Sequence, residues 1–225
     1  MKKYAKYFIV IVTLAISVPV LKGQEKSNVD ERLVRIETTL GNMVVKLFNE
    51  TPAHRDNMIK LVEEGYYDSL LFHRVISDFM VQGGDPHSKD AAKGQRLGQG
   101  GPGYTIPAEF NENLYHKKGA LAAARQGDQA NPEKRSSGSQ FYITQGRVFT
   151  PAEMNTMAQR GMGPFSNEAI AVYTSLGGTP HLDGAYTVFG EVVEGLDVLD
   201  RIAAVATDAY NRPREDVVFS ISLVR

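Results

Sequence analysis

The chain has 225 residues, 42% hydrophobic and 23% charged, with a formal net charge of −1 and no cysteine. That composition suits one globular domain with a well-buried core, and it excludes disulfides, a thiol nucleophile, a Cys-ligated metal and a lipid-bearing cysteine. Residues 1–23 hold four of the 25 Lys and Arg and none of the 26 Asp and Glu, so the remainder is mildly acidic and no nucleic-acid partner is expected.

The first 23 residues are different in kind. A basic start (Lys2, Lys3, Lys6) leads into an apolar run from Tyr7 to Leu21, with small Gly23 just before Gln24. Roughly 15 apolar residues fall short of the about 20 needed to span a bilayer, so residues 1–23 read as a secretory signal peptide. An uncleaved membrane anchor is the alternative. The expectation is a soluble exported protein, periplasmic in location, with a polar linker over residues 24–32 and one folded domain over residues 33–225.

In "LVRIETTLGNMVVKLF", two alternating segments flank Leu40-Gly41, the pattern of a β-hairpin. A helix follows: Thr51 is a natural N-cap, Pro52 suits the first helical position, Met58, Leu61 and Val62 form an apolar stripe, and Gly65 ends it. "FHRVISDFMVQGG", residues 72–84, reads as two short strands joined at Ser77-Asp78. It places Arg74 and Gln82 where a plain core strand would carry neither, and a buried cation needs a partner or a purpose. "GALAAA", "GSQFYIT", "YTVFGEVV" and "DVVFSISLVR" are further strands, and Leu196, Leu199 and Ile202 mark a second short helix. Many short strands with two helices favour a closed antiparallel barrel capped by helices.

Other signals are weak. Gly98, Gly100 and Gly103 match a dinucleotide-binding fingerprint, yet a polar loop precedes them and the extended "YTIP" follows, where a strand and a helix are required. The histidines His54, His73, His87, His116 and His181 show no pair at helical zinc-site spacing, so neither a metal nor any cofactor is expected. His54 falls in a helix's first turn, and His87 and His116 read as exposed loop residues. Ser139 lacks the Gly-x-Ser-x-Gly elbow of a hydrolase.

Five segments in order, "FHRVISDFMVQGGDP", "GPGYTIPAEF", "GALAAA", "GSQFYIT" and "HLDGAYTVFGEVVEGLDVLDRI", carry a stronger signal. Together they resemble the cyclophilin family of peptidyl-prolyl cis-trans isomerases, over about Leu33 to Arg225. The resemblance implies an eight-stranded antiparallel barrel with a helix over each end and an active-site groove on its outside. It implies that Arg74 is catalytic, acting non-covalently on Xaa-Pro bonds, with Gln82 beside it. Phe79, Met80, Tyr142 and Leu182 would form the pocket for the proline ring, Gln82 and the backbone of Arg125 would hold the preceding residues, and Gln140, His181 and Tyr186 complete the binding set. Without the resemblance, Phe79, Met80 and Leu182 read as ordinary core residues, and Gln140 as a sheet-edge amide under Arg74. The partners implied are unfolded or flexible Pro-containing polypeptides, met by a monomer. A Pro-peptide-binding chaperone module with little catalysis is the competing function, and Arg74 argues against it.

Two departures stand out. Many eukaryotic members carry tryptophan and histidine around "LDG", where this chain has His181 and Tyr186, and Tyr142 replaces a usual phenylalanine, so weak cyclosporin binding is expected. The stretch Gln145–Pro180 is an insertion in which Thr150, Pro151, Glu153 and Gly161 cap and stop a helix. Met154, Met157 and Met162 give that helix adaptable apolar surface beside the pocket.

Overall fold

The computed structural model describes residues 32–224. The signal peptide expected over residues 1–23 lies outside them, as does the linker up to residue 31. Strands β1 (Arg32–Thr38) and β2 (Gly41–Leu47) form the expected hairpin, in register from Arg32 opposite Leu47 to Thr38 opposite Gly41. The Thr38 hydroxyl closes the turn: it donates to the Gly41 carbonyl at 2.7 Å and accepts from the Leu40 amide at 3.0 Å.

Helix α1 (Pro52–Glu63) begins after Thr51 and ends at Gly65, whose φ of 67° only glycine adopts cheaply. Thr51 sits at the N-cap but makes no side-chain hydrogen bond there. The carboxylate of Glu109 takes that role, accepting from the Ala53 and His54 amides at 3.1 and 3.0 Å and bonding the His54 ring at 2.6 Å.

The chain continues through β3 (Leu70–Leu71), β4 (Arg74–Ile76), β5 (Met80–Gly83), β6 (Thr105–Ile106), β7 (Ala120–Ala123), β8 (Ser136–Ser137) and β9 (Phe141–Thr144). After the insertion come β10 (Val188–Glu194), a helix over Leu196–Ala203, and β11 (Val218–Leu223). Nine strands pair in the order β3-β11-β1-β2-β10-β7-β9-β5-β4, every pair antiparallel. The end strands β3 and β4 are separated in the chain by only Phe72 and His73, so the sheet curls back on itself.

Alternation then sorts the side chains. Val34, Ile36, Val45, Leu47, Val75, Val81, Leu121, Phe141 and Ile143 share one core cluster with Met58, Leu61 and Val62 of α1 and with Val198, Leu199 and Ile202 of the late helix. The alternate residues Met80, Ala120, Ala122 and Tyr142 belong to a second, outer cluster with Val188. The groove is built on that outer side.

The insertion contains more than the single helix expected. Helix α2 (Pro151–Met157) has the expected capping box between Thr150 and Glu153, and runs into a π-helical turn, Ala158–Met162, broken where Gly161 takes φ 82°. A further helix, α3 (Asn167–Ser175), follows with Ser166 capping the Ala169 amide at 3.1 Å, which makes the late helix (Leu196–Ala203) α4. The two insert helices enclose a small core of Met154, Ala169 and Tyr173, with Tyr115, Phe149 and Phe165 packed on it. Met154 is thus wholly buried within the insertion, Met157 is partly buried, and Met162 alone of the three is open to solvent. Gly178 pairs with both Lys117 and Arg147, pinning the two ends of the insertion together.

Candidate active site

Arg74 and Gln82 are direct cross-strand neighbours on β4 and β5, and Gln82 is opposite Tyr142 on β9. This register puts a guanidinium, an amide and an aromatic ring side by side on the outer sheet face. Arg74 donates to Gln82 Oε1 at 3.2 Å, Gln82 Nε2 donates to Gln140 Oε1 at 3.1 Å, and Gln140 Nε2 donates to the Gly100 carbonyl at 2.8 Å. The chain of donors fixes the amide orientations; Arg74 spends only Nη1, on Gln82 and on the Met80 sulfur at 3.9 Å, and among the described residues Nε and Nη2 make no hydrogen bond. Half-burial pushes the Arg74 pKa down, and the group stays a cation at any neutral pH.

A pocket of about 100 Å³ opens beside Arg74, lined by Phe79, Met80, Ala124, Tyr142, Leu182 and Tyr186 with Gln82 and Arg125 at its polar rim. That volume is well under the several hundred Å³ of a whole-ligand site and suits one small ring. Phe79 and Met80 come from β5 and the turn before it, Tyr142 from β9, and Leu182 from a 3₁₀ turn, Pro180–Leu182, that ends the insertion. His181 does not line the pocket; it stacks on Phe79 with centroids 5.8 Å apart, and burial lowers its pKa. Gln140 is buried behind Gln82 and faces a neighbouring cleft of about 810 Å³, lined also by Gly100, Gly101 and Arg125. The Arg125 side chain lies over the Tyr186 ring at 4.4 Å and bonds the Ala185 carbonyl at 2.8 Å. Its backbone amide and carbonyl have no hydrogen-bond partner among the described residues.

His116 corrects the sequence reading. It is fully buried, bonded through Nδ1 to Asp183 at 2.8 Å, and its ring stacks on Tyr142 at 6.0 Å. The other oxygen of Asp183 accepts from the Tyr173 hydroxyl of the insertion at 2.6 Å. A Tyr173–Asp183–His116 chain therefore runs from the insert core to the back of the pocket. His54, too, is buried, and burial lowers its pKa. His87 is exposed as expected.

Asp85, which is not among the residues expected at the site, organises the glycine loop. Fully buried, it accepts from the amides of Gly98, Gln99 (3.1 Å) and His87 (2.8 Å). Burial pushes its pKa up, but the amides of Gly98, His87 and Gly100 outweigh this and hold it below the usual carboxylate range. The signal available was Asp85-Pro86, a turn-initiating pair in which a short carboxylate bonds its own following backbone. His73 is also buried, and burial pushes its pKa down to about 4 against the opposing pull of Asp85 and the Leu71 backbone. Among the described residues no cluster of three or more His, Asp or Glu could hold a metal.

A curled antiparallel sheet carrying an arginine and a single-ring apolar pocket on its outer face defines a peptide-groove enzyme. Residues 33–222 match the family model described as cyclophilin type peptidyl-prolyl cis-trans isomerase/CLD. A Staphylococcus aureus protein bearing the name of a peptidyl-prolyl cis-trans isomerase is 36% identical over 189 residues, 82% of this chain and 87% of that one. A Streptococcus pyogenes protein named as a bifunctional phosphatase/peptidyl-prolyl cis-trans isomerase is 40% identical over 188 residues; the match covers 82% of this chain and spans 37% of that longer protein. The crystal structure of a Cryptosporidium parvum cyclophilin superposes with a TM-score of 0.63 at 24% identity, covering 87% of this chain and 98% of the other, which supports the fold. The chain belongs to the cyclophilin-type peptidyl-prolyl cis-trans isomerase family, and it is an isomerase.

Proposed function

We infer that this isomerase turns Xaa-Pro bonds of exported polypeptides at the Arg74 groove, without a covalent step or a cofactor, and so assists their folding. The single observation that carries this reading is the unspent Arg74 fork at the rim of a pocket sized for one ring.

Rotation about a peptide bond faces a barrier of about 18–20 kcal/mol because the C–N bond is partly double. As an Xaa-Pro bond twists, the prolyl nitrogen becomes pyramidal and regains a lone pair. A donor aimed at that nitrogen stabilises the twisted state and barely affects the planar one, which is the condition for raising the rate. Arg74 supplies such a donor. Its direction is fixed by the bond to Gln82, which Gln140 and Gly100 fix in turn, so little reorganisation is needed at the moment of reaction. Phe79, Met80, Tyr142, Leu182 and Tyr186 hold the proline ring, and the backbone of Arg125 pairs with the chain further before it, so that the turn falls on the carbonyl group directly before the proline. His181 stiffens Phe79 by stacking.

The basic-then-apolar residues 1–23 support export to the periplasm, and the work is done by a monomer. Cyclosporin binding is weak on this reading, because the His181 imidazole offers a smaller face than the indole common in the family. Tight inhibition in a titration would refute that point. The main test is exchange NMR on a short Xaa-Pro peptide with wild type and Arg74→Ala. Line broadening by wild type and its loss in the variant is the expected result. Peptide binding with no acceleration by the wild type would make the protein a chaperone module instead.

A further inference from the structure

A second cleft of about 600 Å³ shares Arg74, Gln82 and Arg125 with the proline pocket and extends between the Gly94–Gln99 loop and the turn from Asp208 to Arg212. Four guanidinium groups line it, Arg74, Arg96, Arg125 and Arg212, against the single carboxylate of Asp208. This is an unusual concentration in a chain with a net charge of −1.

Most of these cations are already engaged. Arg212 is buried and donates to the carbonyls of Ala92 and Gln95, each at 2.9 Å, and to Asp216 at 3.1 Å, so it anchors the loop. Arg125 is held by the Ala185 carbonyl and Asp128. Asp208 is turned inward, accepting from the amides of Tyr210 and Arg212 at 2.8 and 3.0 Å. Arg96 is different. Its guanidinium lies 4.3 Å from the centre of the Tyr210 ring and makes no hydrogen bond or ion pair among the described residues. The contact with the exposed Tyr210 ring restrains the guanidinium while leaving all its donors open to a carboxylate. His73, 5% exposed, also lines the cleft. A side chain at Gly98 would lie 3.5 Å from its Nε2, and glycine leaves that approach uncovered.

We propose that this cleft is a subsite for an Asp or Glu side chain of the polypeptide whose proline sits in the neighbouring pocket, and that Arg96 reads it. The inference rests on the groove assignment above. The shared residues keep an acidic side chain within a few residues of the isomerising bond, and the surrounding arginines raise the local concentration of acidic segments over neutral ones.

The experiment compares kcat/KM for Xaa-Pro peptides that carry Glu or Gln at each of the three positions on either side of the proline. A Glu-over-Gln ratio of about two- to fivefold is expected at one or more positions, the size of a partly exposed ion pair, falling towards one in high salt. Arg96→Gln brings the ratio close to one, and Arg96→Glu lowers it below one, so that Gln peptides are preferred over Glu. A ratio of one at all six positions in the wild type, with the Gln peptides turned over, overturns the subsite alone. So does a ratio that survives Arg96→Gln. No turnover of any peptide by the folded protein overturns the groove assignment, and the subsite with it.

Discussion

Around the groove, the amides behind Arg74 are held by groups far away in the chain: Gln82 by Gln140, 58 residues on, and Gln140 by the Gly100 carbonyl, 40 residues back. In the insertion the partners are near neighbours. Thr150 and Glu153 cap each other across three residues, and Ser166 caps Ala169 across three more. The insert also has its own core, separate from the cluster inside the curled sheet. The groove therefore exists only when the whole sheet is paired, whereas the insert helices carry local caps and reach the back of the groove through the Tyr173 hydroxyl on Asp183. Chemistry that depends on sub-ångström placement sits on the long-range scaffold, and the locally coded part is an addition to it.

Substitutions can sharpen this contrast, beginning with the largest effect. Arg74→Ala removes the donor proposed to act on the prolyl nitrogen and should slow exchange by two to three decades, about 3–4 kcal/mol of barrier, with an unchanged melting curve. A loss under tenfold would show that binding alone supplies the rate. Next is His73, under the groove. Its folded pKa of about 4 lies below the ordinary 6.5, so between those values the unfolded chain takes up the proton first. Stability should be complete above pH 6.5 and fall as the pH drops towards 4, by up to roughly 3 kcal/mol from this group. Urea midpoints at pH 7 and 4.5 measure the drop, and His73→Gln should shrink it.

The link between the regions comes third. Tyr173→Phe deletes a hydrogen bond to a carboxylate and should cost about 2 kcal/mol of stability. Because Asp183 adjoins Leu182 and holds His116 against Tyr142, KM for a tetrapeptide should rise while kcat stays near wild type. Unchanged KM would mean that the insertion does not position the pocket. The smallest effect belongs to the insert alone: Thr150→Ala removes an N-cap worth about 1 kcal/mol. It should speed amide exchange over residues 151–157 and leave turnover untouched.

The same division explains what could be read in advance. The hairpin at Leu40-Gly41, helix α1 and the strands of residues 72–84 carry their periodicity and turn residues locally, and each forms where expected. The groove residues followed from a resemblance, since nothing in the spacing of Arg74, Tyr142 and Leu182 says that they meet. His116 reads as a loop histidine because its environment, Asp183 and Tyr142, is assembled from elsewhere in the chain. Glu109 replaces Thr51 at the start of α1 for the same reason: a carboxylate 55 residues away reaches the free amides better than the adjacent hydroxyl. Helix α3 was legible in Ser166, Glu168 and the Gly177-Gly178 stop, but Ile170, Val172, Tyr173 and Thr174 suggest strand as much as helix.

The glycine loop carries a practical consequence. Asp85 and Gln140 hold it at Gly98 and Gly100, but a side chain placed on Gly101 would meet no atom within 4 Å, and its φ is not in the region reserved for glycine. The chain contains no cysteine, so Gly101→Cys would create the molecule's single thiol. A dye attached there would project into the cleft beside the proline pocket. Its fluorescence would follow the arrival and departure of a polypeptide in real time, with no competing label anywhere else on the protein.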